Sequence, residues 1–324
     1  MLLRRKDMKF GALKTMVAAV AIAAAGATTA IAEWQPSGPI KLMIAFRAGG
    51  GVDTSARLLA EELSARHGWE IIPENVDGRG GAAMAAALKD EPADGQSIGM
   101  TAMDSLAYGV LATKNPGFGT DDFTYLSTVT GTQAGLIAKS SRGWKTLADV
   151  IAAAKAGEKI TAGAMSAKLA DALYLIGEAN GIELTTVMVK GGQGGLNGVM
   201  ADDLDIAWAA GPQTKGVQAG DLVNLVSAIG KPLNVSPDAP LLSEYGVEFV
   251  FGTMFGVIGP ANMDAEAREA IQDAIAEVVN DPSSKLSNYI SKAFGGPEAI
   301  KGADFDAFMQ KASAEAEKLI EAAQ

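Results

Sequence analysis

The chain has 324 residues, of which 48% are hydrophobic and none is cysteine, and its formal charge is -11. Without cysteine there is neither a disulfide framework nor a thiol to carry lipid, and a strongly acidic body argues against nucleic acid and against docking on anionic lipid. A chain of this length can bury a large core, and the usual domain sizes point to two domains.

The first element is an export signal. Arg4, Arg5, Lys6, Lys9 and Lys14 form a basic start, Met16 to Ala25 is an unbroken apolar run, and Ala30-Ile31-Ala32 offers small residues before Glu33. The run is well short of the roughly twenty residues of a membrane anchor. The residues after Arg4-Arg5 do not support the twin-arginine route. Cleavage near Ala32/Glu33 removes five basic residues and Asp7, so the charge falls from -11 to -15 over the remaining 292 residues. With no cysteine behind the signal, the exported protein is expected to be soluble and not lipid-anchored.

Next comes Pro39 to Leu63, PIKLMIAFRAGGGVDTSARLLAEEL. Ile40, Leu42, Met43, Ile44, Ala45 and Phe46 predict a strand; Leu58, Leu59, Glu62 and Leu63 predict a helix, with Asp53 or Thr54 placed to cap its first turn. Between them Gly49, Gly50 and Gly51 lack a Cβ, so a ligand can approach the backbone N–H groups, and the helix points its positive end at the same place. Such a loop holds anions.

Strands are then predicted at Glu70–Pro73, Gln96–Thr101, Lys159–Ala162, Thr185–Val189, Asp205–Ala209 and Leu222–Ser227. Helices are predicted at Ala82–Leu88, Ala148–Ala156, Ala167–Asn180, Leu196–Ala201, Glu266–Val279, Ser283–Ala293 and Phe305–Ala322. The alternation reads as α/β with mostly parallel strands. Val187-Met188-Val189 feeds Lys190-Gly191-Gly192-Gln193-Gly194-Gly195 just before a helix, repeating the first glycine cluster. Two such units suggest one site assembled from two lobes, although a tight turn without ligand is nearly as good a reading of either loop alone. Phe123–Ile137 and Val250–Ile258 read as crossover strands, which places lobe one at 33–133 plus 253–324 and lobe two at 134–252, with the C-terminal helices packed back on lobe one.

Other chemistry is not supported by the residues. Gly49-x-Gly51 is followed by Thr54 where a dinucleotide fingerprint needs its third glycine, and there is no Walker A pattern. His67 is the sole histidine and sits at a helix end, where a dipole contact is expected. With no cysteine, no second histidine and no GxSxG elbow, no nucleophile and base pair can be assembled, and no enzyme activity is expected. Asp121-Asp122 and Asp202-Asp203-Asp205 lack calcium-loop spacing and read as helix starts or solvated surface; no metal and no cofactor are expected.

Four stretches in order resemble a known family: PIKLMIAFRAGGGVDTSARLLAEEL, ENVDGRGGAAMAAALKDEPADGQSI, VKGGQGGLNGVMADDLDIAW and PLLSEYGVEFVFGTMFGVIGPANMD. They are similar to the tripartite tricarboxylate transporter substrate-binding proteins, the TctC or Bug family. The resemblance implies an α/β, two-lobed periplasmic binding protein of type II, the Venus-flytrap kind, each lobe a mixed or mostly parallel sheet flanked by helices. It implies a small carboxylate ligand held largely by backbone amides and water, and delivery to a membrane transporter of large and small subunits (TctA/TctB-like). Carried onto this chain, the first clamp is Phe46, Ala48, Gly49, Gly50, Gly51 and Asp53, and the second is Lys190, Gly191, Gly192 and Gly195. The turns Thr101–Ser105, with Asp104, and Gly163–Ser166, with Ala164, complete the expected cleft. A monomer is expected. A ligand sensor feeding a sensor kinase would share this fold, and an exported hydrolase or lyase would need a catalytic set that these residues do not supply.

The chain departs from the family pattern at Val189, where an aromatic is usual, at Ala209-Ala210, at Lys168 and at Arg47. One expectation is that Arg47 or Lys168 answers a second ligand carboxylate; the alternative is that both face solvent. Ala209-Ala210 with Trp208 nearby points instead to a more apolar ligand.

Overall fold

The computed structural model describes residues 34–324, and the export signal read over 1–32 lies outside them. The apolar runs form strands at Ile40–Ile44 (β1), Ile71–Asn75 (β2), Ser97–Ala102 (β3), Phe123–Gly131 (β4), Gly135–Lys139 (β5), Ile160–Ala164 (β6), Leu184–Met188 (β7), Ile206–Ala209 (β8), Leu222–Ser227 (β9) and Met254–Pro260 (β10). They make two five-stranded sheets, in the orders β2-β1-β3-β10-β4 and β7-β6-β8-β5-β9. Taken position by position, the two orders are the same.

Each sheet is mixed. β1 pairs parallel with β2 and β3, and β6 with β7 and β8, but β10 and β5 run antiparallel to both of their neighbours. This is less parallel than the βα alternation predicts, and the cause is the route of the chain. β4 ends at Gly131 and β5 begins at Gly135 in the other sheet; β9 ends at Ser227 and β10 begins at Met254 back in the first. The first strand after each crossing starts at the edge where the others finish, so it must run the opposite way.

Ten helices among the described residues cover these sheets: Gly51–His67 (α1), Ala82–Leu88 (α2), Tyr108–Ala112 (α3), Leu147–Lys155 (α4), Ala167–Asn180 (α5), Gly191–Met200 (α6), Thr214–Ala219 (α7), Ala265–Asn280 (α8), Lys285–Ala293 (α9) and Gly302–Ala322 (α10). The first sheet packs Met43, Leu88, Met103, Phe123 and Tyr125 with Phe305 and Met309 of α10. The second packs Leu136, Leu173, Ile176, Ile206 and Leu225, and Ala316 and Leu319 of the same α10 join it. The last helix is therefore shared between two cores, where the expectation placed it on one. Each such buried aliphatic or aromatic side chain contributes about 1.5–3 kcal/mol.

Local signals set the helix ends. Asp264 caps α8, its carboxylate accepting the N–H of Glu266 at 3.0 Å and of Ala267 at 3.1 Å. Asp264→Ala is expected to cost about 1 kcal/mol, seen as a lower urea midpoint at unchanged slope. Asp122 accepts the Gly119 N–H at 2.8 Å and starts a short turn, while Asp205 accepts the N–H and hydroxyl of Thr161. Both acidic clusters thus have structural work, and no group of His, Cys, Asp and Glu suited to a metal ion occurs among the described residues. His67 lies in the last turn of α1, its Nε2 3.6 Å from a Glu277 carboxylate oxygen.

Candidate functional site

The register fixes where the loops gather. In the first sheet β1, β2 and β3 end at Ile44, Asn75 and Ala102, and β10 starts beside them, Phe255 opposite Ala102. In the second, β6, β7 and β8 end at Ala164, Met188 and Ala209, and β5 starts beside them, Gly135 opposite Ala209. Both chain crossings leave from these edges. The carboxyl ends of the parallel strands, where open α/β sheets bind ligands, therefore border the passage between the two lobes.

After β1 the helix begins sooner than Asp53 or Thr54 would place it: Gly50 is the N-cap, and the first helical bond runs from the Thr54 N–H to the Gly50 carbonyl at 2.9 Å. No side chain caps Gly50. The N–H groups of Gly51, Val52 and Asp53 come before that bond and are left without helical partners. Asp53 lies buried beneath the turn. Its carboxylate accepts the Gly49 N–H at 2.9 Å, Asn75 Nδ2 at 2.8 Å and Arg57 Nε at 2.9 Å, while Asn75 Nδ2 also donates to the Phe46 carbonyl at 2.8 Å. Burial pushes the Asp53 carboxyl up, but these three donors outweigh it and hold the carboxyl below its usual range. Asp53 is thus the internal brace of the turn, and the Gly49 N–H is spent on it. The Gly50 N–H bonds to the Arg47 carbonyl at 3.3 Å.

The second glycine cluster is helix rather than loop. α6 starts at Gly191, with Lys190 as an N-cap that no side chain satisfies, so Gly191, Gly192 and Gln193 present the free amides. Glycine is a poor helix former, and packing is the reason it is here. A Cβ on Gly195 would stand 3.0 Å from the Trp208 carbonyl oxygen and 3.1 Å from the Ala207 Cβ; one on Gly198 would stand 2.6 Å from Leu204. Gly195 therefore brings α6 onto β8. Gly192 faces Pro212 and Met165.

The other nominated residues, the charged ones aside, fall into four groups. Thr101 and Ser105 share a hydroxyl contact of 3.3 Å, packed under the left-handed Gly81. Ala164 is buried and its carbonyl accepts the Val189 N–H at 2.9 Å, while Ser166 caps α5 through the Leu169 N–H at 3.3 Å. Trp208 has no exposed surface: it stacks on Phe251, and its indole N–H donates to the Leu169 carbonyl at 2.9 Å. The structure thus sets the Trp208 side chain in the second core. Ala48 is exposed on the first turn.

Both nominated cations already have partners. Arg47 pairs with Asp77 at 2.9 Å on the exposed rim. Lys168, 12% exposed, reaches from the second lobe to Asp104 of the first at 3.0 Å, and the Asp104 N–H in turn donates to Thr253 Oγ1 at 3.1 Å. One turn along the same two segments Tyr108 donates its hydroxyl to Asp171, whose carboxyl burial pushes up. Neither cation is simply solvated, and neither is free.

Two features were missed in the sequence. The turn Gly78–Gly81 follows β2 and packs against Ser105; its Asp-Gly-Arg-Gly-Gly run was the available signal. Phe294, far along the chain after α9, lies between the lobes. A Cβ on Gly51 would meet its ring at 2.6 Å and one on Gly211 at 2.3 Å, and the ring stands edge-on to Phe255 at 5.0 Å. No local pattern announces such a contact.

The family model described as the tripartite tricarboxylate transporter family receptor, TctC, matches residues 55–324. The chain is similar to the protein BugT of Bordetella pertussis, with 26% identity over 269 residues that cover 76% of this chain and 78% of that one. Among solved structures it resembles an R. palustris protein with adipate, at a TM-score of 0.79 and 22% identity over 90% of this chain and 98% of that one. It also resembles MatC from Rhodopseudomonas palustris with bound malate, at 0.75 and 19% over 90% and 100%. The fold is the two-lobed α/β arrangement of periplasmic binding proteins, each lobe a mixed sheet flanked by helices.

Proposed function

The chain belongs to the tripartite tricarboxylate transporter receptor family, and from that premise we propose that it binds a small carboxylate between its lobes and delivers it to a membrane transporter of large and small subunits. The observation that carries this reading is the pair of uncapped helix starts, Gly51 in one lobe and Gly191 in the other, at the strand ends that border the passage between the sheets. Amide dipoles hold a carboxylate without a fixed counter-charge, which suits a carrier that must let its cargo go. The R. palustris relatives seen with adipate and malate support the ligand class. The lobes in this reading are 33–133 plus 253–324 and 134–252, and the cargo is met after export, in the periplasm. No helix among the described residues is long and apolar enough to cross a membrane.

Its test is a thermal-shift screen of organic acids on the protein lacking residues 1–32. A ligand at a hundred times its Kd stabilises by about 2.7 kcal/mol, which raises Tm by about 4 °C in a protein of this size. Shifts are expected with carboxylates and not with the matched amides or alcohols. Shifts with neither class, or with both alike, count against the proposal.

A further inference from the structure

Resting on the carboxylate-receptor reading, we infer that Asp104 is a specificity-determining residue which occupies Lys168, so that the receptor selects acids with one carboxylate and an apolar body. Lys168 and Asp104 stand on opposite lobes, Lys168 in the first turn of α5 after β6 and Asp104 on the turn after β3, at the edges that border the cleft. Their ion pair is mostly buried, and the Lys168 ammonium is also 3.5 Å from the Gly252 carbonyl. A second ligand carboxylate arriving here meets a cation already neutralised and a fixed negative charge beside it. The other cations near these loops do not replace it. Arg47 is held by Asp77, and Arg57 by Asp53 and Asn75. Arg79 and Lys190 are exposed, where a charge pair is worth about 1 kcal/mol at most.

What stands beside the free amides is apolar. Phe294 and Phe255 lie against Gly51, and Met165 and Pro212 against Gly192. Val189 packs at the foot of α6, near Gly194. A carboxylate gripped by the helix starts therefore has hydrocarbon and aromatic surface for the rest of the molecule, and burying each methylene there gains about 0.8 kcal/mol. A polar far end set against that surface loses its hydration.

Calorimetric titration of the protein lacking residues 1–32 tests this with three pairs in which a terminal methyl becomes a carboxylate: butyrate and succinate, hexanoate and adipate, 4-methylbenzoate and terephthalate. The monocarboxylate is expected to bind at least ten-fold more tightly in whichever pairs bind. Asp104→Asn leaves Lys168 without its counter-ion and is expected to improve the dicarboxylate at least ten-fold relative to its partner. Lys168→Met is expected to keep the preference for one carboxylate. The inference is overturned if the dicarboxylate binds as tightly in the unaltered protein, if Asp104→Asn leaves the ratio unchanged, or if Lys168→Met selectively weakens the dicarboxylate. Binding by none of the six overturns it as well. The earlier screen then separates the two readings: carboxylate shifts there leave the receptor assignment standing, and their absence removes both.

Discussion

Asp53→Ala is expected to weaken ligand binding ten-fold or more and to lower stability by about 2–4 kcal/mol. The carboxylate is buried and receives three donors from three parts of the chain: the Gly49 amide, Asn75 from β2 and Arg57 one turn along α1. Removing it leaves the Gly49 N–H and one Asn75 donor without their acceptor and frees Arg57 from its ion pair. The turn over Gly49 and Gly50 then loses its tether, and the amides of Gly51 and Val52 lose their fixed direction. Calorimetry with the acid found in the screen, and urea melts, measure the two effects. Binding that survives with an unchanged Kd would show that the brace has no part in presenting the amides.

The acid dependence of the same residue has a definite sign. Asp53 titrates below its usual range when folded and near 3.9 when unfolded. Its contribution is therefore present in full above about pH 4 and is lost as pH falls through the lower folded value. The stability difference between the unaltered protein and Asp53→Ala should shrink on acidification; a difference that grows would contradict the assignment.

The second large effect is expected at Gly195. A leucine there must place its Cβ where the Trp208 carbonyl oxygen is 3.0 Å away, and a sheet backbone cannot step aside as a flexible side chain can. α6 is pushed off β8 at a cost of about 1–3 kcal/mol, and the Gly191 and Gly192 amides move with it. Affinity should fall at least ten-fold. Gly194→Ala is the control, because its Cβ would make only ordinary contact with Val189 at 3.5 Å, and alanine gains up to about 1 kcal/mol over glycine inside a helix. Equal behaviour of the two variants would remove the packing explanation.

Much of the strand pattern was legible because buried parallel strands read as short apolar runs, as in Ile40–Ile44 and Leu222–Ser227. The glycine clusters marked helix starts after strands, but the second is the first turns of a helix and not a loop. Propensity disfavours a helix through Gly191-Gly192-Gln193-Gly194-Gly195, and it was overridden because α6 must lie close to β8. Trp208 lies beside Ala209-Ala210 along the chain, but strand alternation decides which side it faces. Ile206 and Trp208 face one core, and Ala207 and Ala209 face another cluster with Val199 and Leu204. The pairing of Lys168 with Asp104, and the seat of Phe294 between Gly51 and Gly211, depend on segments brought together only by the crossings. Charge and hydropathy along the chain hold no trace of them.

The sharing of α10 between two cores bears on how the molecule opens. Its first half is rooted among Phe123, Tyr125 and Met103, and its second half among residues packed with the other sheet. A rigid rod pinned at both ends resists being pulled apart far more than being twisted, so the swing between open and shut should pivot about this rod, with its amplitude limited there. Shortening the carboxyl terminus would then loosen the joint between the two cores.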